Sequence, residues 1–540
     1  MLLAEVAATS DAVAATRSRL AKRAAIADLL RRVAGDDAGG AEIEIAVAYL
    51  AGELRQRRTG LGWRSLRDLP APVDAPSLTL ADVDAAFARM AGLSGPGSAT
   101  ARQAEAAALF GAATAREQSL LTGLVSGELR QGALDSVVVD AVAEATGAPA
   151  ESVRRAVMLA GATGPVARAA LTADGADGAA SALAAFRLTV GRPVRPMLAQ
   201  SAPDVRAAFE KLGTAPRPDG TAVDVKLDGI RIQVHRDGDD VRVFTRSLDD
   251  ITERVPEIVA AVRRLPARTL VLDGEALVVG PDGVPRPFQE TAARSATQGE
   301  WSPAEEAELA QELELSPFFF DALHVDGRDL LDEPLRERLG VLDDVAGPYA
   351  VRRLVTDDPD AATGFFEGAV AQGQEGVVVK SLDTPYAAGR RGAGWIKVKP
   401  RHTLDLVVLA VEQGSGRRRG WLSNIWLGAR DPDGGFVMLG KNLDDDDRSG
   451  WVMVGKTFKG MTDEMLAWQT ERFLNLETRR EGHVVHVRPE QVVEIAFDGV
   501  QRSTRYPGGV ALRFARVLRY RDDKRVNKVD TIDMLRSLLA

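Results

Sequence analysis

The residue type best suited to covalent chemistry occurs at Lys226, which begins the tetrapeptide Lys226-Leu227-Asp228-Gly229. The apolar run Val223–Val225 precedes it, so the lysine is predicted at the edge of a sheet, directly before a tight turn. A lysine amine is a nucleophile only when unprotonated, and burial or neighbouring cations lower its pKa towards that state. On its own, however, the tetrapeptide is more typical of a surface turn. The remaining motifs must therefore decide whether Lys226 is a nucleophile.

Further motifs follow Lys226 in a defined order. They are Arg231 and Arg246, then Leu272-Asp273-Gly274-Glu275, Phe319-Phe320-Asp321, Glu375-Gly376-Val377-Val378-Val379-Lys380, Trp395-Ile396-Lys397-Val398-Lys399 and Arg513–Lys524. This order resembles the covalent nucleotidyltransferase superfamily, which contains ATP-dependent DNA ligases, RNA ligases and mRNA capping enzymes. The segment Arg513–Lys524 is similar to the last motif of the DNA ligase branch, and Arg195-Pro196-Met197-Leu198-Ala199 resembles the start of a ligase adenylation domain. So many elements in the right order are not expected by chance.

The residue types in these motifs suit a nucleoside triphosphate. Alternate residues of a strand share a face, so Lys397 and Lys399 can both reach one triphosphate, and with Arg231 they are the cations expected beside Lys226. The resemblance implies that Phe320 lies against adenine, with a core phenylalanine as the alternative. It implies the nucleotide contacts Asp224, Arg231, Arg246, Glu275, Phe320, Arg391, Lys397 and Lys399.

One position departs from the family pattern. Many members have Glu two residues before the nucleophile, whereas this chain has Asp224, which is one methylene shorter. Since the contact at this position is partly made by the backbone, adenine recognition is expected to survive. The role of the Asp224 side chain stays open.

Two carboxylates are candidates for a magnesium site. Glu275 and Glu375 each follow or open a glycine-containing turn, and Mg²⁺ binds few protein carboxylates while keeping several waters. The resemblance implies that Glu275 also contacts the ribose and that Glu375 holds metal at the phosphates. Either residue, considered alone, is an ordinary surface carboxylate.

The resemblance implies a three-step reaction that consumes ATP. Lys226 attacks the α-phosphate and expels pyrophosphate, AMP passes to the 5′-phosphate at a nick in double-stranded DNA, and the 3′-hydroxyl displaces AMP. Positioning and cations dominate phosphoryl transfer. Arg513 and Lys524 are expected to belong to a lid that covers the pyrophosphate in the first step and then swings away about a hinge near Pro400.

The residue composition and the spacing of apolar residues change twice along the chain, which indicates three domains. Residues 1–190 are rich in Ala, Leu and Arg at helical spacing and predict an all-helical domain. Residues 191–400 contain short strands separated by Asp-Gly turns, which favours an antiparallel α+β domain over a doubly wound parallel sheet. Residues 401–540 combine short strands with one helix and predict a small β-barrel. The resemblance implies that the three are a DNA-binding domain, an adenylation domain and an oligonucleotide/oligosaccharide-binding (OB) fold, in that order.

The helical part separates the larger DNA ligases from capping enzymes and the smallest ligases, which lack such a domain. The stretch 126–134 resembles the loop through which this domain approaches the minor groove, and glycine there permits close backbone contact. Arg130 and Gly132 are the predicted DNA-binding residues. An ordinary turn between two helices is the alternative.

Composition limits the remaining possibilities. The 540 residues include no cysteine and five histidines, which excludes disulfides and thiolate metal sites. The net charge of −9 is an average over surfaces that never meet DNA, and arginines cluster locally. No apolar run is long enough to cross a bilayer, so a cytoplasmic protein is expected, without a membrane partner and monomeric.

Two other functions compete with a DNA ligase for replication, repair or recombination. An RNA-end ligase or capping-type transferase would share Lys226 and everything around it. A catalytically idle DNA-binding scaffold with an ATP-sensing domain would share the fold alone. The helical domain and the segment Arg513–Lys524 are the features that favour the DNA ligase.

Overall fold

The structure is a computed structural model. It describes residues 1–36, 40–129, 131, 135–213, 220–280, 283–295, 313–387, 391–415, 418–431 and 450–539. The predicted DNA-binding residues Arg130 and Gly132 lie outside the described residues. Within these ranges, none of the helices combines the length and apolar character needed to span a membrane.

The N-terminal part is helical, as the sequence predicts. Two of its helices begin with a capping box, in which Thr79 and Asp82, or Thr114 and Glu117, exchange hydrogen bonds between side chain and backbone. Their apolar residues form one continuous core. The helices are α1 (Leu3–Ala15), α2 (Arg19–Asp36), α3 (Ala41–Ala51), α4 (Leu80–Gly92), α5 (Ser98–Gly111), α6 (Ala115–Ser126), α7 (Asp135–Thr146), α8 (Ala150–Ala160), α9 (Thr163–Leu171) and α10 (Gly175–Ala184), with a 3₁₀ turn at Trp63–Leu66.

The central part consists of two five-stranded sheets. Its strands are β1 (Leu198–Ser201), β2 (Thr221–Lys226), β3 (Ile230–Asp237), β4 (Asp240–Thr245), β5 (Thr269–Val278), β6 (Leu315–Val325), β7 (Arg328–Asp329), β8 (Arg353–Thr356), β9 (Gly376–Ser381) and β10 (Arg391–Val398). The first sheet has the order β1-β10-β9-β2-β8 and the second β4-β3-β5-β6-β7. Helices cover the sheets at Val205–Leu212, Pro256–Arg263, Phe288–Ser295, Leu335–Ala346 and Pro359–Ala371.

Strand pairing is antiparallel with one exception. β1 pairs with β10 in parallel, while the other named strand pairs of the two sheets are antiparallel. β5 also differs from the prediction, because it runs unbroken through Gly274 and places Glu275 inside a strand rather than beside a turn. Gly274 allows close strand contact, since a Cβ there would lie 2.6 Å from the carbonyl oxygen of Phe318.

The C-terminal part is an antiparallel sheet domain. Seven strands form one sheet with the order β13-β12-β11-β15-β14, and β16 joins β11 to β19. The described strands do not close into a ring, so the predicted barrel is not seen. Helices occur at Asp463–Asn475 and Ile532–Ser537. The strands are β11 (His402–Gln413), β12 (Leu422–Arg430), β13 (Trp451–Thr457), β14 (Glu477–Glu481), β15 (Val484–Val487), β16 (Val492–Phe497), the hairpin β17 (Gly499–Arg502) and β18 (Val510–Arg513), and β19 (Arg516–Tyr520).

Candidate active site

Most of the sequence motifs contribute residues to a cleft between the two central sheets. Lys226 is the last residue of β2 and pairs with Gly376, the first residue of β9. The opposite wall carries Arg231 on β3, Glu275 on β5 and Phe320 on β6. Residues more than 90 positions apart in the sequence, such as Lys226 and Phe320, therefore line one cleft.

Glu375 connects two lysines at the mouth of the cleft. Its carboxylate forms ion pairs with Nζ of Lys226 and with Nζ of Lys399. The close approach depends on Gly376, because a Cβ there would lie 2.2 Å from the carbonyl oxygen of Val398. Although burial opposes it, the carboxylates of Glu375 and Asp498 raise the pKa of Lys399. The charged group in contact with Lys226 is thus an anion, and not one of the cations expected from the sequence.

Arg231 is fixed by a buried carboxylate. Its Nε and Nη2 donate to the two oxygens of Asp273 at 2.9 and 2.6 Å, and the hydroxyl of Tyr386 donates to the same carboxylate at 2.7 Å. A bidentate pair of this kind has a defined geometry. Nη1 of Arg231 donates to the carbonyl of Met197 at 2.7 Å. Sequence reasoning missed Asp273 and Tyr386; the acidic position of the Leu-Asp-Gly-Glu motif was the available signal for Asp273.

An aromatic wall borders the cleft. The rings of Phe320 and Trp395 meet edge to face at 5.8 Å, and the guanidinium of Arg231 lies 5.4 Å from the Phe320 ring. Trp395 is buried, and within the described residues its indole N–H has no hydrogen-bond partner. The wall therefore offers flat apolar surface to a bound ring.

Asp224 lies at the base of the cleft and is held by two cations. Arg353 Nε donates to its Oδ1 at 2.6 Å, and Lys380 Nζ is 2.6 Å from its Oδ2. Burial lowers the pKa of Lys380, and the charge of Asp224 works against that shift. The short side chain that departs from the family pattern is thus part of a buried ion-pair network, which the sequence did not reveal.

Glu275 is the acid of the cleft with the clearest electrostatic perturbation. Burial raises its pKa to about 7, with the cations Lys226 and Arg231 opposing and the carboxylates Glu375 and Asp273 reinforcing the shift. Its proton affinity is therefore matched to neutral pH. The side chain faces the same cleft as Lys226.

The C-terminal part contacts residues next to this cleft. Arg513 donates from Nη1 to Asp228 at 2.6 Å, two residues beyond Lys226, and Lys399 Nζ lies 3.2 Å from Asp498. The carboxylate of Asp228 raises the pKa of Arg513 against the effect of burial. Lys524 is engaged elsewhere, with Nζ 2.5 Å from Asp405. Of the two predicted lid residues, the structure brings only Arg513 into contact with the loop that follows Lys226.

The remaining predicted residues are placed as follows. Arg246 and Lys397 both line the cleft. Arg391 begins β10, but its side chain lies outside what the structure describes.

The cleft and the two sheets fit the nucleotidyltransferase class expected from the sequence, and three family models of DNA ligase regions match the chain. Residues 196–399 match the ATP dependent DNA ligase domain, residues 418–524 the ATP dependent DNA ligase C terminal region, and residues 68–143 the DNA ligase N terminus. A probable DNA ligase of Beutenbergia cavernae is 73% identical across 100% of this chain and 99% of its own length. A probable DNA ligase of a Nocardioides species is 60% identical with the same coverage. The chain belongs to the ATP-dependent DNA ligase family, whose members join DNA at the expense of ATP.

A solved structure extends the likeness to the whole fold. The structure named Pmar-Lig_PreS3 has a TM-score of 0.60 and 17% identity, and the match covers 96% of this chain and 99% of that one. At this identity the likeness concerns the fold alone. It spans the helical, central and C-terminal parts together.

Proposed function

We propose that Lys226 is the nucleophile that carries AMP and that the enzyme seals nicks in double-stranded DNA. The observation that carries this assignment is the position of Nζ. It lies at the end of β2, in contact with Glu375, and two residues from the Asp228 that binds Arg513. In the first step Nζ forms a bond to the α-phosphorus and pyrophosphate leaves. The proton that Nζ gives up would pass to solvent through Glu375, whose carboxylate contacts Nζ.

The nucleotide would lie along the cleft with its base against the aromatic wall. Phe320 supplies a ring face, and Trp395 packs edge to face behind it. Asp224 would act at the base edge through its backbone, because its carboxylate is engaged by Arg353 and Lys380. The predicted sugar and phosphate contacts are Arg231, Arg246, Glu275, Arg391, Lys397 and Lys399.

Glu275 and Glu375 are proposed to hold Mg²⁺. Their carboxylates are close enough for Glu375 to raise the pKa of Glu275, so a divalent cation between them would favour the ionised form of both. In the described part of the chain, no group of three or more acidic or histidine side chains forms a metal cage. That fits an ion that takes few protein ligands. Bound there, Mg²⁺ would supply positive charge at the phosphates.

The three parts of the chain receive separate roles in this proposal. Residues 1–190 would bind DNA through the region of Arg130 and Gly132, residues 191–400 would carry out adenylation, and residues 401–540 would be the OB-fold lid. Arg513 would cover the pyrophosphate, and Lys524 would belong to the same lid. The enzyme would act as a cytoplasmic monomer.

The test is covalent labelling. Incubation with α-labelled ATP and magnesium should transfer label to the wild-type protein, and added pyrophosphate should remove it. Lys226→Ala should neither take up label nor seal nicked DNA. Lys211→Ala, which removes an exposed lysine that donates to the carbonyl of Ser201, is the matched control and should do both. Sealing by Lys226→Ala would overturn the proposal.

A further inference from the structure

A connecting segment from Gly191 to Met197 lies along the polar face of β3. His235 Nδ1 accepts from Gly191 N at 3.1 Å, and Gln233 binds both the N–H of Val194 at 2.8 Å and its carbonyl at 3.2 Å. Two residues further along the strand, Arg231 binds the carbonyl of Met197. We call residues 191–197 the strap. It ends at the nucleotide cleft, since Leu198 lines that cleft.

Arg195 joins the strap to the helical part. Its guanidinium forms an ion pair with Asp135 and donates to the hydroxyl of Thr163 and the carbonyl of Gly161, both at 3.1 Å. Its backbone N–H donates to the carbonyl of Met158 at 3.0 Å. Asp135 is the first residue of α7, Thr163 is the first residue of α9, and Gly161 caps the C-terminus of α8. One side chain therefore fixes the ends of three helices, and its charge suits the carbonyl end of α8.

Gly161 is the point at which three segments meet. A Cβ there would lie 3.0 Å from the carbonyl oxygen of Pro193 in the strap and 3.1 Å from Leu248, and the residue has a φ of +75°. Leu248 belongs to the loop that carries Arg246 into the nucleotide cleft. The helical part, the strap and the Arg246 loop are thus in direct contact.

We propose that Arg195 is a positioning residue that keeps the helical part in register with the nucleotide cleft while a nick is sealed. This inference rests on the proposed role of the helical part in binding DNA. If that part holds the duplex, the contacts of Arg195 set where the nick lies relative to Arg231 and Lys226. The first step uses ATP alone and does not need this register. The joining step does, because misplacement of reacting atoms by about 1 Å can cost on the order of a hundredfold in rate.

The decisive variant is Arg195→Met, which keeps the length of the stem and removes the three donors. Self-adenylation should stay within about twofold of wild type. On saturating pre-adenylated nicks, the joining rate should fall by about tenfold to a hundredfold. The dissociation constant for nicked DNA should change less than threefold. A pre-adenylated nick bypasses the transfer of AMP to Lys226, so failure of the lysine assignment would not affect this result.

Two further variants separate positioning from general loss of structure. Arg155→Met removes a different ion pair between the same parts, with Asp332, and should leave all three quantities unchanged. Asp135→Asn weakens the Arg195 contact from the other side and should reproduce the joining defect in milder form. The proposal is overturned if Arg195→Met joins at the wild-type rate, if adenylation falls in parallel, or if Arg155→Met shows an equal defect.

A measurement without catalysis addresses the same point. Because the chain has no cysteine, Gln103→Cys on α5 and Asp240→Cys on β4 allow two spin labels to be attached at defined places. The distance distribution between them should broaden when Arg195→Met is added, both with and without nicked DNA. An unchanged distribution would show that Arg195 does not set the register.

Discussion

The central part of the molecule has two interfaces, and they are built differently. Towards the C-terminal part, the named contacts are partly exposed ion pairs, such as Arg513 with Asp228 and Lys399 with Asp498. Towards the helical part, the ion pair of Arg195 with Asp135 is also partly exposed, but the strap that carries Arg195 is anchored on the central sheet by buried polar side chains, with Gln233 and His235 bonded to its backbone groups. Exposed ion pairs contribute little and respond to salt, whereas buried hydrogen bonds are costly to break. The first interface is suited to opening and the second to holding a fixed geometry.

The largest expected effect comes from a substitution at the interface with the C-terminal part, the one suited to opening. Arg513→Ala should lower the rate of self-adenylation by about a hundredfold or more, because a cation at the leaving pyrophosphate is lost. Sealing of pre-adenylated nicks should be spared, since the lid has moved away by then. Both rates are measured with labelled ATP and pre-adenylated nicked duplex. Equal loss in both steps would refute the lid role. The same comparison with Lys524→Ala tests the other predicted lid residue, which the structure pairs with Asp405.

Two glutamine substitutions compare the anchor of the strap with the interface to the C-terminal part. Gln233→Leu leaves the buried backbone groups of Val194 without their partner, at a cost of about 2–4 kcal/mol. Gln289→Leu removes an exposed contact with the carbonyl of Arg502 and should cost less than about 1 kcal/mol. Thermal unfolding of the two variants gives the comparison. Equal midpoints would contradict the difference between the interfaces.

The pH dependence of the first step sharpens the chemistry inside the cleft. Since the pKa of Glu275 is raised to about 7, the carboxyl is neutral below that pH and ionised above it. Protons should therefore compete with Mg²⁺ for this carboxylate, so self-adenylation at subsaturating Mg²⁺ should decline as the pH falls below 7, and saturating Mg²⁺ should move the decline to lower pH. Glu275→Gln should be slow at pH 8 and lose this dependence. An unchanged pH profile in the variant would assign the titration to another group.

The smallest effect is expected at the second ion pair of the opening interface. Asp498→Asn removes the charge facing Lys399, and a partly exposed pair contributes about 0.2–1 kcal/mol. Self-adenylation should change by less than about fivefold, and its dependence on salt concentration should weaken. A loss as large as that of Arg513→Ala would indicate that Asp498 has a direct part in the chemistry.

The motif order predicted the family, the changes in residue pattern predicted a helical, a mixed and a strand-rich part, and the apolar run before Lys226 predicted its position at a strand end. Local spacing could do this because strands and turns are local features. It could not predict that Glu375 contacts both Lys226 and Lys399, because that contact depends on how distant strands align. Glu275 was expected at a turn because of its neighbouring glycine. In the structure Gly274 instead serves close packing against β6.

The network around Asp224 shows the same limit. Its partners Arg353 and Lys380 lie on β8 and β9, the two strands that flank β2. Neither belongs to a spacing pattern that includes Asp224. A buried carboxylate between two cations was therefore invisible in the sequence, although Lys380 closes one of the recognised motifs.

Gly376 has a consequence for how far the sequence of this cleft can change. Gly376 has only a hydrogen atom where other residues have a side chain. The space there is too small for a methyl group, because the carbonyl oxygen of Val398 lies next to it. Any larger residue would push β9 and β10 apart, and Glu375 would then no longer span the distance between its two lysines. The absence of a Cβ atom at Gly376 therefore sets the spacing between Glu375 and its two lysines.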